Sequence, residues 1–179
     1  VYDRAVDSRV LRATFAKFFT NGVFPSPGTA LQIGKASTGL AVTVQPGICI
    51  INGAMGGVNG DDPVTLTLDT AAPQGNVCYG IMLRFDNTDS FADSRSILLN
   101  VVRGDAGENP VPPTPDTSTP EVRELRLGYV EVPSGATDLS AATVHNEKGL
   151  DVCPYAAPFE EIDLSQVVAD AQAEASQAL

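Results

Sequence analysis

The groups from which this chain would have to build chemistry are few in kind: one histidine, His145, three cysteines, Cys49, Cys78 and Cys153, and 22 aspartates and glutamates. A single histidine excludes histidine-rich metal sites. It leaves one candidate base for a Ser-His-Asp arrangement, which also needs a positioned nucleophile and an orienting acid. No Gly-x-Ser-x-Gly elbow stands in the sequence to supply that nucleophile. His145 therefore reads as an ordinary histidine at a strand end. The cysteines are odd in number, scattered and without a Cys-x-x-Cys pair, so neither a disulfide framework nor a zinc site follows from them. Each lies in an apolar stretch, Ile48-Cys49-Ile50, Val77-Cys78-Tyr79 and Val152-Cys153-Pro154, where a small buried hydrophobe with a free thiol is expected.

Two carboxylates a few ångströms apart suffice for glycoside hydrolysis, but abundance does not place them. Asp61-Asp62 falls in a Gly-rich turn before a strand, where acids serve turn geometry and solvation. Asp86, Asp89 and Asp93 share one loop. Their spacing is not that of an EF-hand and the loop's glycine is missing, so a solvated hairpin loop is expected rather than a calcium site. Gly53, Gly56, Gly57 and Gly60 are not followed by Gly-Lys-Ser/Thr and open no helix, which removes a phosphate cradle. Arg84 and Arg103 stand near the ends of the two most apolar segments, where a guanidinium is more often a salt-bridge partner than a ligand clamp. The expectation is a protein that is not an enzyme, with no catalytic residue, no cofactor and no metal.

The elements that hold these groups are read from composition and period. An apolar fraction of 43% supports a real core, while 16 Gly, 13 Pro, no Trp and 6% aromatics favour short strands and turns over a helical bundle. The formal charge of −11 repels phosphate backbones and anionic lipid, so neither nucleic acid nor membrane is an expected partner. The charge is uneven: residues 1–60 sum to +3 and residues 61–179 to −14. No apolar run is long enough to span a bilayer and no signal-peptide pattern opens the chain, so a soluble protein that folds in a reducing cytoplasm is expected.

Residues 3–20 place Val6, Val10, Leu11, Phe15, Phe18 and Phe19 at helical spacing, with Asp3 as N-cap and Asn21-Gly22 as a left-handed stop. From residue 31 to about 144 the period becomes two. Leu40, Val42 and Val44 form one alternating run, and Val64, Leu66 and Leu68 another. Between them a glycine-bracketed strand, 47–53, is followed by a Gly-rich loop through Gly60, so a tight antiparallel meander is expected. Two apolar segments, 78–85 and 97–102, mark the centre of a sheet or sandwich. A five-proline irregular crossover, 104–120, leads to a strand at 125–132 and a short pairing segment at Thr143-Val144.

Residues 158–179 return to helical spacing. Alone that helix is marginal in water, so it is expected to pack against symmetry mates through a seam of Leu164, Val168, Ala171 and Ala175. The fold class is thus mainly β, an antiparallel β-sandwich or barrel-like domain. It divides into an N-terminal amphipathic helix, 1–22, a β-domain, 23–157, and a C-terminal helix, 158–179.

The order of these landmarks resembles the N-terminal modules of baseplate and tail-fibre (receptor-binding) proteins of siphophages of Gram-positive hosts. The residues that carry the resemblance are Gly22-Val23, Val42-Thr43-Val44-Gln45-Pro46-Gly47, Leu83-Arg84-Phe85-Asp86, the aliphatic strand 97–104 and the Pro-rich crossover 110–115. Leu125-Arg126-Leu127-Gly128-Tyr129-Val130-Glu131-Val132 closed by Gly135-Ala136-Thr137 completes the set. It spans about residues 10–145 and consists of the order of strands and turns. Val77-Cys78-Tyr79 replaces the family's basic-aliphatic-acidic start, and Asn146-Glu147-Lys148 stands near where an Asp-x-Arg often closes the module.

The resemblance implies a virion structural protein of the phage tail, assembled in the host cytoplasm. Such a module anchors a receptor-binding assembly to the tail, with other tail or baseplate proteins as partners and usually as a homotrimer. The competing expectation is a carbohydrate-binding module for cell-wall sugars, for which four tyrosines and no tryptophan offer few aromatic platforms. A carboxylate-based hydrolase ranks last.

Overall fold

A computed structural model describes residues 8–70, 74–87, 97–119 and 121–158, with side chains from Leu11 onward. The fold is mainly β: the described residues form one helix, α1 (Ser8–Phe18), and ten strands in three antiparallel sheets. The strands are β1 (Gly22–Val23), β2 (Ile33–Lys35), β3 (Ala41–Val44), β4 (Gly47–Ile51) and β5 (Ala54–Val58). They continue with β6 (Val64–Thr67), β7 (Asn76–Asp86), β8 (Ile97–Gly107), β9 (Val122–Val132) and β10 (Thr143–Asn146). The sheets run β1-β4-β5, β2-β3-β6 and β10-β9-β7-β8, and among the described residues they do not close into a barrel.

One core joins all three sheets. Val42, Val44, Ile51, Tyr79, Ile81, Leu83, Leu127 and Val130 belong to a single buried cluster. Tyr79 brings a polar end into it, and its hydroxyl is satisfied by donating to the Asp69 or the Thr70 carbonyl, each 3.0 Å away. Strands β2 and β10 lie in different sheets yet are stitched by one side chain. The Ile33 N–H donates to Asn146 Oδ1 at 2.7 Å, and Asn146 Nδ2 donates back to the Ile33 carbonyl at 3.1 Å. The amide thus stands in for a strand's backbone and satisfies an edge that would otherwise be open.

β7 is apolar on both faces because both are covered. Val77, Tyr79, Ile81, Leu83 and Phe85 point into the core. Cys78 and Met82, on the other face, are equally buried. The cover there is the Pro-rich crossover: Pro113 packs 3.5 Å from where a Cβ on Gly80 would stand, and Cys78 Sγ meets the Pro110 carbonyl. The irregular segment is therefore a third layer over the long sheet.

Several expectations are corrected. β3 and β4 do not form a meander, since β3 pairs with β2 and β6 while β4 pairs with β1 and β5. The segment expected as a Gly-rich loop is strand β5, hairpinned on β4 through Asn52-Gly53, both at positive φ. Gly53 is required there because a Cβ would overlap the Arg12 carbonyl of α1. Among the described residues β8 is an edge strand, not a central one.

Gly22 is not a left-handed helix stop but part of β1. A Cβ on it would sit 2.5 Å from the Ala156 nitrogen and the Pro154 carbonyl oxygen, so the residue is small to let the 154–156 segment pass. The helix stripe also turns differently. Leu11 and Phe18 are exposed, while Arg12, Phe15 and Ala16 are half-buried and the helix meets β5. Asp3 and the whole of the expected seam, Leu164, Val168, Ala171 and Ala175, lie outside the described residues.

Candidate functional site

Arg84 and Asp86 of β7 and Glu124 and Arg126 of β9 gather on the outer face of the long sheet, under and beside the crossover. Glu124 is buried, 5% exposed, and its carboxylate accepts from Arg84 Nη1 at 3.0 Å and from the Asp116 N–H at 2.8 Å. Arg84 Nη2 also donates to Asp86 Oδ2 at 2.9 Å. Hydrogen bonds from Glu124 first and Asp86 second hold the Arg84 pKa above its ordinary value. Arg84 is thus the structural ion-pair partner expected of it, and the pair ties the crossover to the sheet.

A second clamp lies along β9. Register shifts between Ile81 and Met82, leaving Leu127 as an extra residue in β9, so that Arg126 and Tyr129 come to one face. Arg126 forks onto Glu147, Nε to Oε2 at 2.6 Å and Nη2 to Oε1 at 2.9 Å. Its Nη1 donates to the Pro113 carbonyl at 2.6 Å. The guanidinium also lies 5.6 Å from the Tyr129 ring centroid, and His145, paired across from Tyr129 on β10, stacks on the same ring at 4.4 Å and 15°. Burial, then the nearby Glu147, pushes the Tyr129 hydroxyl pKa up.

His145 pairs across from Tyr129 at the end of the sheet. Its ring is engaged in the stack and, among the described residues, has no hydrogen-bonded acid or nucleophile. Of the four tyrosines, Tyr79 is in the core, Tyr129 is stacked, Tyr155 is exposed and Tyr2 lies outside the described residues. Tyr155 packs beside Gly149, so no pair of open rings forms a sugar platform among the described residues.

The three cysteines are free and buried. Cys49 is pushed up to about 12 by burial first and by its neighbour Cys153 second; Cys153 is pushed up to about 12 by burial and then Glu147. Cys78 is raised by burial and then Glu131. Such thiols stay protonated and are poor nucleophiles. Asp61 and Asp62 are exposed, and Arg103 is exposed. Asp89 and Asp93 lie outside the described residues, so the three-aspartate loop cannot be placed. Among the described residues no group of three metal-ligating side chains forms, and no helix is long and apolar enough to cross a membrane.

The remaining surface feature is the outer edge of β8. This strand of eleven residues pairs with β7 alone among the described residues, and its first residue packs under β5 at Gly56. Beyond it Leu98 is 55% exposed, and Val111 of the crossover is 75% exposed. An unpaired edge with exposed apolar side chains can take another strand or be covered by a partner. Sequence reading missed it because β8 has the same apolar run as a central strand. No protein-family model matches the chain, and comparison with known proteins and with solved structures finds no match either.

Proposed function

We propose that this chain is a structural docking module of a phage tail or baseplate, acting through protein contacts and not through catalysis. The observation that carries the reading is the open edge of β8, bordered by exposed Leu98 and Val111. A long edge that is unpaired among the described residues and carries an exposed leucine is a liability for a lone protein and an asset for one that assembles. The crossover is held by two ion-pair clamps, so the surface beside this edge is rigid before any partner arrives. Homotrimeric assembly, attachment to other tail or baseplate proteins, placement in the virion tail and the helical seam at Leu164, Val168, Ala171 and Ala175 are parts of the same proposal. So is a sandwich-like packing, which the shared buried cluster of the three sheets supports.

Light scattering on the full chain tests it. A stable trimer at micromolar concentration supports the reading, and a monomer at all concentrations rejects it. Leu98→Lys, at the edge, and Val168→Asp with Ala171→Asp, at the seam, separate the two surfaces: the one that holds the subunits lowers the mass when altered. Turnover of peptidoglycan or polysaccharide, abolished by a single substitution, would reject the non-enzymatic part. Saturable binding to a glycan array by the monomer would favour the sugar-binding alternative.

A further inference from the structure

A cleft of about 430 Å³ opens between α1, the end of β7 and the start of β9. Arg12 and Arg123 line it together with Asn52, Asn87, Thr119 and Phe85, and among the described residues no carboxylate does. Arg12 is held in place: its Nη1 donates to Asn87 Oδ1 at 3.1 Å and its guanidinium stands 5.4 Å from the Phe85 ring centroid. Arg123 is different. It is half-buried, and among the described residues it makes no ion pair or hydrogen bond and its buried Nε has no acceptor.

An unmet buried donor is costly, and arginine is a planar fork of five donors that protein acceptors or water normally satisfy. Two other half-buried arginines, Arg84 and Arg126, each have a carboxylate at 3.0 Å or less. Glu124 and Asp151 line a smaller cleft that Arg123 also borders, but Glu124 is taken by Arg84 and the Asp116 N–H, and Asp151 makes no ion pair with Arg123 among the described residues. Two cations that face one polar cleft and have no ion-pair partner among the described residues, in a protein of net charge −11, are an arrangement that favours entry of an anion. We propose that this cleft is an oxyanion site, seating a carboxylate or phosphate-sized group between the guanidiniums of Arg12 and Arg123, with Thr119 and the amide of Asn87 as further hydrogen-bonding groups.

The shared chemistry has two sources, a free small dianion or a carboxylate presented by another protein segment, and the titration separates them. Calorimetric titration of the full chain at low ionic strength uses sodium phosphate, sodium succinate and a hexaglutamate peptide. Saturable binding of at least one is expected, weakened about tenfold by Arg12→Gln and by Arg123→Gln and weakened by added salt. Phosphate or succinate binding assigns a free anion; peptide binding alone assigns a protein carboxylate. Arg123→Lys keeps the charge but loses the fork, so it serves where the glutamine variant does not fold, and its affinity is expected to fall several-fold. The absence of binding by all three probes, or affinity unchanged in the folded variants, overturns the site.

Discussion

β7 and β8 are both eleven residues long, both rich in aliphatic side chains and hydrogen-bonded to each other, yet they live in different surroundings. β7 has β8 and β9 on its two edges, the core on one face and the crossover on the other. β8 has an edge without a partner among the described residues, and Leu98 is 55% exposed. The difference teaches that an apolar run fixes what a strand is able to bury, while its place in the sheet decides what it does bury. Hydrophobic stabilisation scales with area removed from water, so equal sequences at centre and edge contribute unequally.

The sharpest way to break that comparison is to truncate one residue on each strand. Ile81→Ala, in the core at 0% exposure, is expected to cost about 3 kcal/mol by urea unfolding, from lost burial and an unfilled cavity. Leu98→Ala should stay within about 0.5 kcal/mol for the isolated protein, and an equal loss at both positions would refute the edge assignment. Next in size is Glu124→Gln. It weakens the contact to Arg84 and to the Asp116 N–H, and the cost is expected to be about 2 kcal/mol, moderated because Arg84 is 31% exposed to water. The crossover should loosen first, seen as faster amide exchange at residues 110–118.

The buried thiols supply a pH test. Cys49 and Cys153 are raised from 9.0 to about 12, so the folded state holds protons that the unfolded state releases. Their contribution is therefore complete below pH 9 and lost as pH climbs from 9 towards 12, and stability should fall across that window. In alkylation at neutral pH, Cys78 should react before the other two, because only the irregular crossover seals it, at Pro110. Simultaneous labelling of all three would mean that the crossover opens no sooner than the core. The smallest substitution effect on the sheet's far edge is that of His145→Ala. Losing the stack on Tyr129 is expected to cost about 1 kcal/mol or less in a thermal melt.

Much of this molecule was legible in the chain. Period-two apolar runs located β3 and β6, because alternation is a local consequence of the pleat, and a near-continuous apolar run located β7. The apolar flanks of Cys49, Cys78 and Cys153 marked them as buried, and the prolines between β8 and β9 marked an irregular crossover, since proline lacks the N–H that a ladder requires. Only the tertiary structure decided that β3 and β4 part into separate sheets, that the glycines after Asn52 form β5, and that β8 lies at an edge. It alone brought Arg12 of the first helix to Arg123 of the ninth strand, and Glu124 to Arg84. The reason is physical: a residue's period and propensity are properties of its neighbours in sequence, whereas pairing, cover and charge compensation depend on segments far along the chain. In those terms a half-buried arginine without a partner looks, in the sequence, like any other arginine.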